Sequence, residues 1–238
     1  MKIDSTDSLC VNTIRTLAID MARNLSGLRL GLEVTSVDTR RKTAEIKHFG
    51  TVKFTNLINT SPLNSFIKTI KSAPANVRSA AETLKSNTVY VLNLGIKKPV
   101  PEFHWGYFPE PSFPFYRAGI ASEFSPRVAP RGRASFYAEI ATDGKAVDFD
   151  GAEAAVYRGL KRCGMLESVS QIEEKIWLKI PEAYVIYDTD RAKGLAVIFK
   201  WLKARGIKSV GRYGAWKYSF MEESVKEGLE SARNILAR

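Results

Sequence analysis

The sequence predicts an α+β fold, in which a mainly antiparallel mixed sheet is flanked by helices. Three patterns support this prediction. Residues 28–37 and 43–48 read as two strands joined by a polar turn. Residues 88–94 form a β-branched, apolar run that is typical of a central strand. Residues 190–205 instead place their apolar side chains at helical spacing.

The N-terminal part of the chain alternates helix and strand signals. Residues 7–24 carry apolar residues at helical spacing, with Asp4, Ser5 or Thr6 available as the N-cap. A third strand is expected over 52–59. Ser61 is then placed to cap a helix whose first residue is Pro62, because proline is favoured at that position. A further helix is expected over 76–84.

The remaining elements follow from the same signals. An aromatic-rich hairpin is expected over 102–108 and 114–120, and a strand over 135–141 is expected to close the sheet. Two short strands, 175–180 and 184–187, are predicted on either side of Pro181. Helices are expected over 152–163, 190–205 and 221–237, with Gly206 ending the second of these and a short strand over 207–210.

Composition limits the possible functions. The 238 residues are 45% hydrophobic, enough for one large or two small domains. The net charge of +11 is spread along the chain, which favours a solvated surface first, attraction of an anionic substrate or membrane surface second, and nucleic acid a distant third. The sequence has no run of about 18 apolar residues and no signal-peptide pattern at its start, so a cytoplasmic location is expected.

Metal chemistry is not expected. The two histidines, His48 and His104, and the two cysteines, Cys10 and Cys163, show no metal-ligand spacing. We expect two reduced thiols, at least one of them in a core. No nucleophile–base pair or carboxylate dyad emerges from spacing either, which fits a reaction carried by an organic cofactor and fits a non-catalytic protein equally well.

The most informative segment is Gly-Arg-Tyr-Gly-Ala-Trp-Lys-Tyr at 211–218, which leads into the last helix. Glycines let the backbone approach a ligand closely, arginine offers a fixed fork of donors, and a helix start offers unpaired N–H groups. With the turn at 57–63, the hairpin at 104–117 and the segment 181–187, it resembles the FAD-dependent amine oxidase, protoporphyrinogen oxidase and UDP-galactopyranose mutase superfamily. The mutase-like and protoporphyrinogen-oxidase-like branch is the closest.

The resemblance implies two groups of site residues. The cofactor-contacting residues would be Gly211, Arg212, Tyr213, Gly214, Trp216, Met221, Glu222, Ser61 and Pro62. The substrate-binding residues would be Trp105, Tyr107, Tyr116, Arg117 and Tyr218. At Glu222 the expected cofactor contact is made by the backbone and not by the side chain, because glutamates are common in a first helical turn.

Each group has a structural alternative. Arg212 either faces the flavin or a substrate diphosphate, or it pins its turn to a carbonyl or to a carboxylate such as Glu222. Aromatic residues such as Trp105 and Tyr107 more often pack in a core than bind a ligand. Arg117 stands beside aromatic residues and therefore needs an anionic or π partner.

One element of the superfamily has no counterpart in the sequence. Its members open with a strand, a G-x-G-x-x-G turn and a helix that binds the adenosine diphosphate of FAD, and the glycine clusters at 27–31 and 211–214 lack that spacing. By resemblance, the chain corresponds to the C-terminal half of these proteins. We expect either a truncated or split protein, or a protein that has kept the scaffold and lost autonomous flavin binding. A catalytic role with FAD would require an N-terminal half on a separate chain, or a gene that was once longer.

These expectations give a domain plan and two functions. Residues 1–60 would return the chain toward a flavin domain, 61–190 would form the substrate-domain-like part, and 191–238 would form the flavin-contacting segment. The expected function is part of an FAD-dependent oxidoreductase or flavin-dependent mutase acting on an anionic small molecule, with sugar or nucleotide-sugar metabolism as the implied context. The alternative is a non-catalytic binding module that holds no flavin.

Overall fold

The computed structural model describes residues 14–237. The first part of the predicted helix over 7–24, its caps and Cys10 lie outside the described residues. The rest of that helix is present as α1, Ile14–Ala22. The chain divides into two compact units, a sheet unit of residues 14–28 and 87–183 and a helix-rich unit of residues 29–86 and 184–237.

The sheet unit is built on a five-stranded sheet in the order β6-β7-β8-β5-β9. Its strands are β5 (Ser86–Lys97), β6 (Trp105–Tyr107), β7 (Arg117–Ile120), β8 (Arg133–Thr142) and β9 (Ile172–Val185). The pairs β6–β7, β7–β8 and β5–β8 are antiparallel. The unit also holds α4 (Ala121–Phe124) and α5 (Phe149–Arg162), with single 3₁₀ turns at Pro126–Val128 and Val169–Gln171.

One face of this sheet forms a core with α5. Alternate residues of a strand point to the same side, so Leu92 and Leu94 of β5 meet Phe136 of β8, and all three are buried. Val156 and Leu160 of α5 pack onto them. Asp148 caps this helix by accepting a hydrogen bond from the N–H of Gly151.

The helix-rich unit contains two small sheets. Strands β1 (Val34–Asp38), β2 (Thr43–Ile46) and β3 (Gly50–Lys53) form an antiparallel meander. Strands β4 (Leu57–Asn59) and β10 (Ile207–Ser209) form a parallel pair. The helices are α2 (Leu63–Thr69), α3 (Ala75–Glu82), α6 (Thr189–Lys203), α7 (Gly211–Gly214) and α8 (Met221–Leu236).

The core of the helix-rich unit lies among α2, α3 and α6. Leu63 and Ile67 of α2 pack with Ile198 and Leu202 of α6, and all four side chains are almost wholly buried. Helix α6 is capped by Asp188, whose carboxylate accepts from the N–H of Arg191. Gly206 follows the helix with a φ of +69°, as its predicted role as the terminating glycine requires.

The predicted fold class is confirmed, and three local predictions are wrong. The two strands expected around Pro181 are one strand, β9, because proline is tolerated at a sheet edge. The strand expected over 52–59 is divided into β3 and β4, which join different sheets. Ser61 does not cap α2: Pro62 occupies the N-cap position, and the Ser61 hydroxyl bonds to Asn59 instead.

Within residues 14–237, none of the helices combines the length and the apolar character that a membrane span requires.

A pair of glycine substitutions tests the packing of α6 against α3. A Cβ at Gly194 would lie 2.7 Å from Thr83 Oγ1 and 2.9 Å from the Ala80 carbonyl oxygen, so Gly194→Ala should lower the free energy of unfolding by roughly 1–3 kcal/mol. Gly228, inside α8, has nothing within 4 Å of such an atom. Gly228→Ala should therefore raise stability by about 0.5–1 kcal/mol. Urea denaturation of both variants measures the difference, and equal effects would contradict this packing.

Candidate functional site

The two predicted cofactor stretches meet at the carboxyl ends of β4 and β10. Because these strands are parallel neighbours, the turn after each one emerges at the same edge of the sheet. The stretch with Ser61 and Pro62 follows β4, and the stretch starting at Gly211 follows β10. The N–H of Val210 donates to the Asn59 carbonyl at 2.9 Å, which extends the pairing up to the two turns.

Asn59 ties these turns together. Its side chain is buried, and its Nδ2 donates to Ser209 Oγ at 2.8 Å and to the Ser61 carbonyl at 3.0 Å. Its Oδ1 accepts from the Ser61 N–H at 3.1 Å and from Ser61 Oγ at 2.6 Å. Ser209 Oγ in turn donates to the Gly214 carbonyl at 2.7 Å. Sequence reasoning missed Asn59, although an amide at the end of an apolar strand was a visible signal.

The two glycines of the segment have different roles. A Cβ at Gly214 would lie 2.6 Å from the Asn59 carbonyl oxygen, so Gly214 is required for close packing of the two turns. Gly211 has a φ of +78° and open space where a Cβ would be. It is therefore required by backbone conformation, and it leaves room for a ligand.

The N–H of Gly211 already has an anionic acceptor. Glu227 of α8 accepts this bond through Oε2 at 2.6 Å, and its Oε1 lies 2.6 Å from Lys217 Nζ. Lys217 also donates a hydrogen bond to Glu223. The hydrogen bonds to Glu223 and, to a smaller extent, to Glu227 raise the pKa of Lys217. The contact with Lys217, with a smaller one from Ser219, lowers the pKa of Glu223. This network, which sequence reasoning missed, holds α8 against the start of α7.

Arg212 lies in an aromatic setting. Its guanidinium carbon is 5.0 Å from the ring centre of Tyr184 and 5.2 Å from that of Tyr218. The two rings are 6.4 Å apart and only 16° from parallel. Arg212 Nη1 also lies 3.5 Å from the Ser219 carbonyl oxygen. Arg212 therefore contacts its own turn, as the structural alternative predicts, through a carbonyl rather than through Glu222.

The remaining cofactor residues differ in exposure. Met221 and Glu222 begin α8 in exposed positions, and Phe220 at the N-cap makes no side-chain capping bond. A cavity of about 350 Å³ adjoins the segment and is lined by Thr60, Gly211, Arg212, Tyr213, Ser224 and Gly228. The prediction that Trp216 contacts the cofactor is wrong. Its side chain is 0% exposed in the helix-rich core and therefore offers no ring face to a ligand.

Four predicted substrate residues come together on the sheet unit. The rings of Tyr107 and Tyr116 stack at 6.3 Å, and Trp105 meets Tyr107 edge-on at 5.3 Å. Trp105 and Tyr107 are 44% and 62% exposed, as a ligand platform would require. The fifth residue, Tyr218, belongs to the helix-rich unit and lies beside Arg212.

Arg117 has an anionic partner, as expected for an arginine beside aromatic residues. It stands opposite Glu139 in the β7–β8 register, and the two side chains form a salt bridge. The Tyr116 hydroxyl donates to the other oxygen of this buried carboxylate. Glu139 was also missed in the sequence, where a glutamate inside an apolar strand indicated it.

In the described part of the chain, no cluster of three or more His, Cys, Asp or Glu residues could bind a metal ion. Cys163 carries a free thiol at the margin of the sheet-unit core, and burial raises its pKa. A raised pKa keeps a thiol protonated and unreactive at neutral pH.

Replacing Asn59 by aspartate tests the joint between the two turns. The variant keeps the shape but loses the donors to Ser209 and to the Ser61 carbonyl, leaving buried acceptors that face each other. We expect Asn59→Asp to cost about 1–3 kcal/mol of unfolding free energy at pH 7. The matched control is Asn56→Asp, an exposed position where the change should stay within about 0.5 kcal/mol. Chemical denaturation compares them, and equal losses would show that Asn59 does not join the turns.

Comparison with known proteins shows similarity of fold. The sequence matches no family model. The structure is similar to a reduced UDP-galactopyranose mutase, with a TM-score of 0.81 and 25% identity over 87% of this chain and 46% of the mutase. A protein assigned as a protoporphyrinogen oxidase from Exiguobacterium sp. 255-15 matches with a TM-score of 0.68 and 14% identity, over 92% of this chain and 50% of that one.

A putrescine oxidase with redesigned cofactor binding matches with a TM-score of 0.69 and 15% identity, over 94% of this chain and 53% of the oxidase. The chain spans about half the length of these proteins. The resemblance seen in the sequence is thereby confirmed: over that half, the chain has the fold of the flavin-dependent amine-oxidase-like proteins.

Proposed function

We propose that this chain provides the substrate-facing sheet and the flavin-contacting segment of an FAD-dependent oxidoreductase or flavin-dependent mutase. The observation that carries the proposal is the joint made by Asn59. It holds the Ser61 turn and the Gly211 segment side by side at the carboxyl ends of two parallel strands. Ligands of open parallel sheets bind at this edge.

The residues at this edge fit a flat, anionic cofactor. Gly211 leaves open space, and the cavity of about 350 Å³ beside it admits part of a ligand. The backbone of Gly211–Gly214, the Ser61 turn and the start of α8 at Met221 and Glu222 would hold the cofactor. When bound, FAD would supply electron transfer, while the protein supplies orientation and electrostatics. Trp216 supports this edge from within the core rather than contacting the cofactor.

Arg212 is the residue we assign to an anionic group of the cofactor or substrate. A planar guanidinium binds phosphate or carboxylate through paired hydrogen bonds. The flanking rings of Tyr184 and Tyr218 keep this cation in a fixed position. The net charge of +11 favours the approach of such anions. An anionic small molecule, such as a nucleotide sugar, is the substrate class we propose.

The chain would act together with a half that carries the strand, G-x-G-x-x-G turn and helix. That half belongs either to a longer polypeptide or to a separate chain. Two of the similar structures support a redox cofactor, since one is described as reduced and another was made to redesign cofactor binding. The domain plan with boundaries at residues 60 and 190 is part of the same proposal.

A non-catalytic binding module is the second candidate. It is favoured by two internal pairings: Glu227 occupies the Gly211 N–H, and Glu139 neutralises Arg117. In an FAD-binding state the first of these would compete with a ligand anion. A module without flavin would keep both pairs and would use the exposed Trp105 and Tyr107 for contact.

Flavin titration separates the two candidates. FAD is added to the purified chain, alone and with the half that carries the G-x-G-x-x-G turn, and absorbance and fluorescence are followed. We expect tight binding only with that half present. Arg212→Ala should then weaken binding about tenfold or more, the loss of one charge-assisted hydrogen bond. Arg205→Ala, a surface arginine stacked on Trp201 of α6, is the matched control and should change nothing.

Absence of FAD binding under both conditions would contradict the enzyme proposal and leave the binding module.

A further inference from the structure

The sheet unit holds a cavity that the proposed function does not use. It has a volume of about 500 Å³ and is lined by residues 93–95 of β5, by residues 128–131 and 133–135 in and just before β8, and by residues 173–176 of β9. All of these residues belong to the sheet unit. Small-molecule sites in proteins are clefts of about 300–1,000 Å³, so this cavity has the size of a ligand site.

Asn93 lines this cavity and carries an unpaired amide. The residue is half-buried, and its Nδ2 atom is enclosed but has no hydrogen-bond partner within residues 14–237. An enclosed donor without an acceptor lowers stability, and such groups are rare in native proteins. The χ2 torsion of asparagine is soft, so a rotation of the amide presents this donor to an acceptor in the cavity. Asn93 is therefore a donor placed for an acceptor that the chain itself does not provide.

Asn93 lies on the same face of the sheet as Trp105. It stands opposite Tyr137 in the β5–β8 register. Tyr137 in turn stands opposite Gly119, which stands opposite Trp105. Directly opposite residues share one face of a sheet. A Cβ at Gly119 would lie 2.7 Å from both Tyr137 Oη and Trp105 Cβ, so the Tyr137 ring lies over this glycine. The three side chains form one row on the face that α5 does not cover.

The charges around the cavity balance each other. Arg133 forms a salt bridge with Glu173, and Lys175 is paired with a glutamate of α5. Arg131 and Glu174 line the cavity in exposed positions and carry opposite charges. The lining therefore favours a ligand without net charge over a phosphate or a carboxylate.

We propose that this cavity binds the ring of a neutral saccharide and that Asn93 recognises one of its hydroxyl groups. A sugar hydroxyl accepts a hydrogen bond through its oxygen and donates one through its proton. Asn93 Nδ2 supplies the donor, and the Glu174 carboxylate supplies an acceptor. Val128 and Ile176, the latter 62% exposed, supply apolar surface for the C–H groups of the ring.

The saccharide site goes beyond the flavin function and does not depend on it. None of the residues assigned to the cofactor takes part, so the site serves a flavin-dependent protein and a flavin-free binding module alike. A site that hydrogen-bonds a ligand hydroxyl discriminates strongly against analogues that lack it. Asn93 is therefore a specificity-determining residue of this cavity.

Saturation-transfer NMR titration of the full chain, without FAD, tests binding. The probes are the methyl glycosides of glucose, galactose and mannose, which are neutral rings with several hydroxyl groups. We expect at least one of them to bind with a Kd of about 1 mM or tighter. Asn93→Leu should weaken this binding at least tenfold, because it removes a hydrogen bond from an enclosed site. Asn76→Leu, at an exposed position of α3, is the matched control and should change nothing.

Two kinds of result would overturn the saccharide site. One is a wild-type chain that binds none of the three probes, or binding that survives Asn93→Leu unchanged. The other is displacement of the bound probe by inorganic phosphate, which would identify an anion site instead.

Thermal unfolding separates this role of Asn93 from a structural one. Leucine has a shape similar to that of asparagine but no polar atoms, so Asn93→Leu removes the unpaired donor and should raise the Tm of the ligand-free chain. A lower Tm would show that the amide has a stabilising partner inside the protein, which would contradict its assignment to a ligand. The flavin titration uses no sugar probe, so this proposal and the proposed flavin function can fail independently of each other.

Discussion

The buried amide of Asn59 is the interaction on which the candidate site depends. One side chain uses both donors and its acceptor to hold the turn after β4 and the segment after β10. The two turns are far apart in the chain, with Asn59 and Ser209 separated by 150 positions. A buried amide can be stable only if its polar atoms are paired, so each turn fixes the conformation of the other.

Beside this joint, the Glu227 carboxylate bonds to the Gly211 N–H and to Lys217. In the sheet unit, Glu139 bonds in a similar way to Arg117 and to the Tyr116 hydroxyl. The Glu227 contact sets the condition for binding an anion at Gly211, because the carboxylate must move or share the N–H. The proposed flavin contact is therefore a competition between an internal and an external anion.

The sequence predicted elements whose periodicity is strong. The helix over 190–205 and the final helix correspond to α6 and α8, and the apolar runs correspond to β5 and β8. The partners that complete the site could not be predicted in the same way. Asn59 bonds to a residue 150 positions away, and Glu139 and Glu227 bond to residues of neighbouring elements, so no local sequence pattern identifies these contacts. Trp216 was misjudged because a tryptophan beside a glycine turn looks the same whether it packs inward or faces a ligand.

The most direct test of the Asn59 joint is hydrogen–deuterium exchange of the wild-type chain and of Asn59→Asp. If Asn59 couples the two turns, peptides covering 59–63 and 207–216 should both lose protection in the variant, while peptides of β8 in the sheet unit keep theirs. Loss confined to 59–63 would contradict the account, because the Gly211 segment would then hold its conformation independently of the β4 turn.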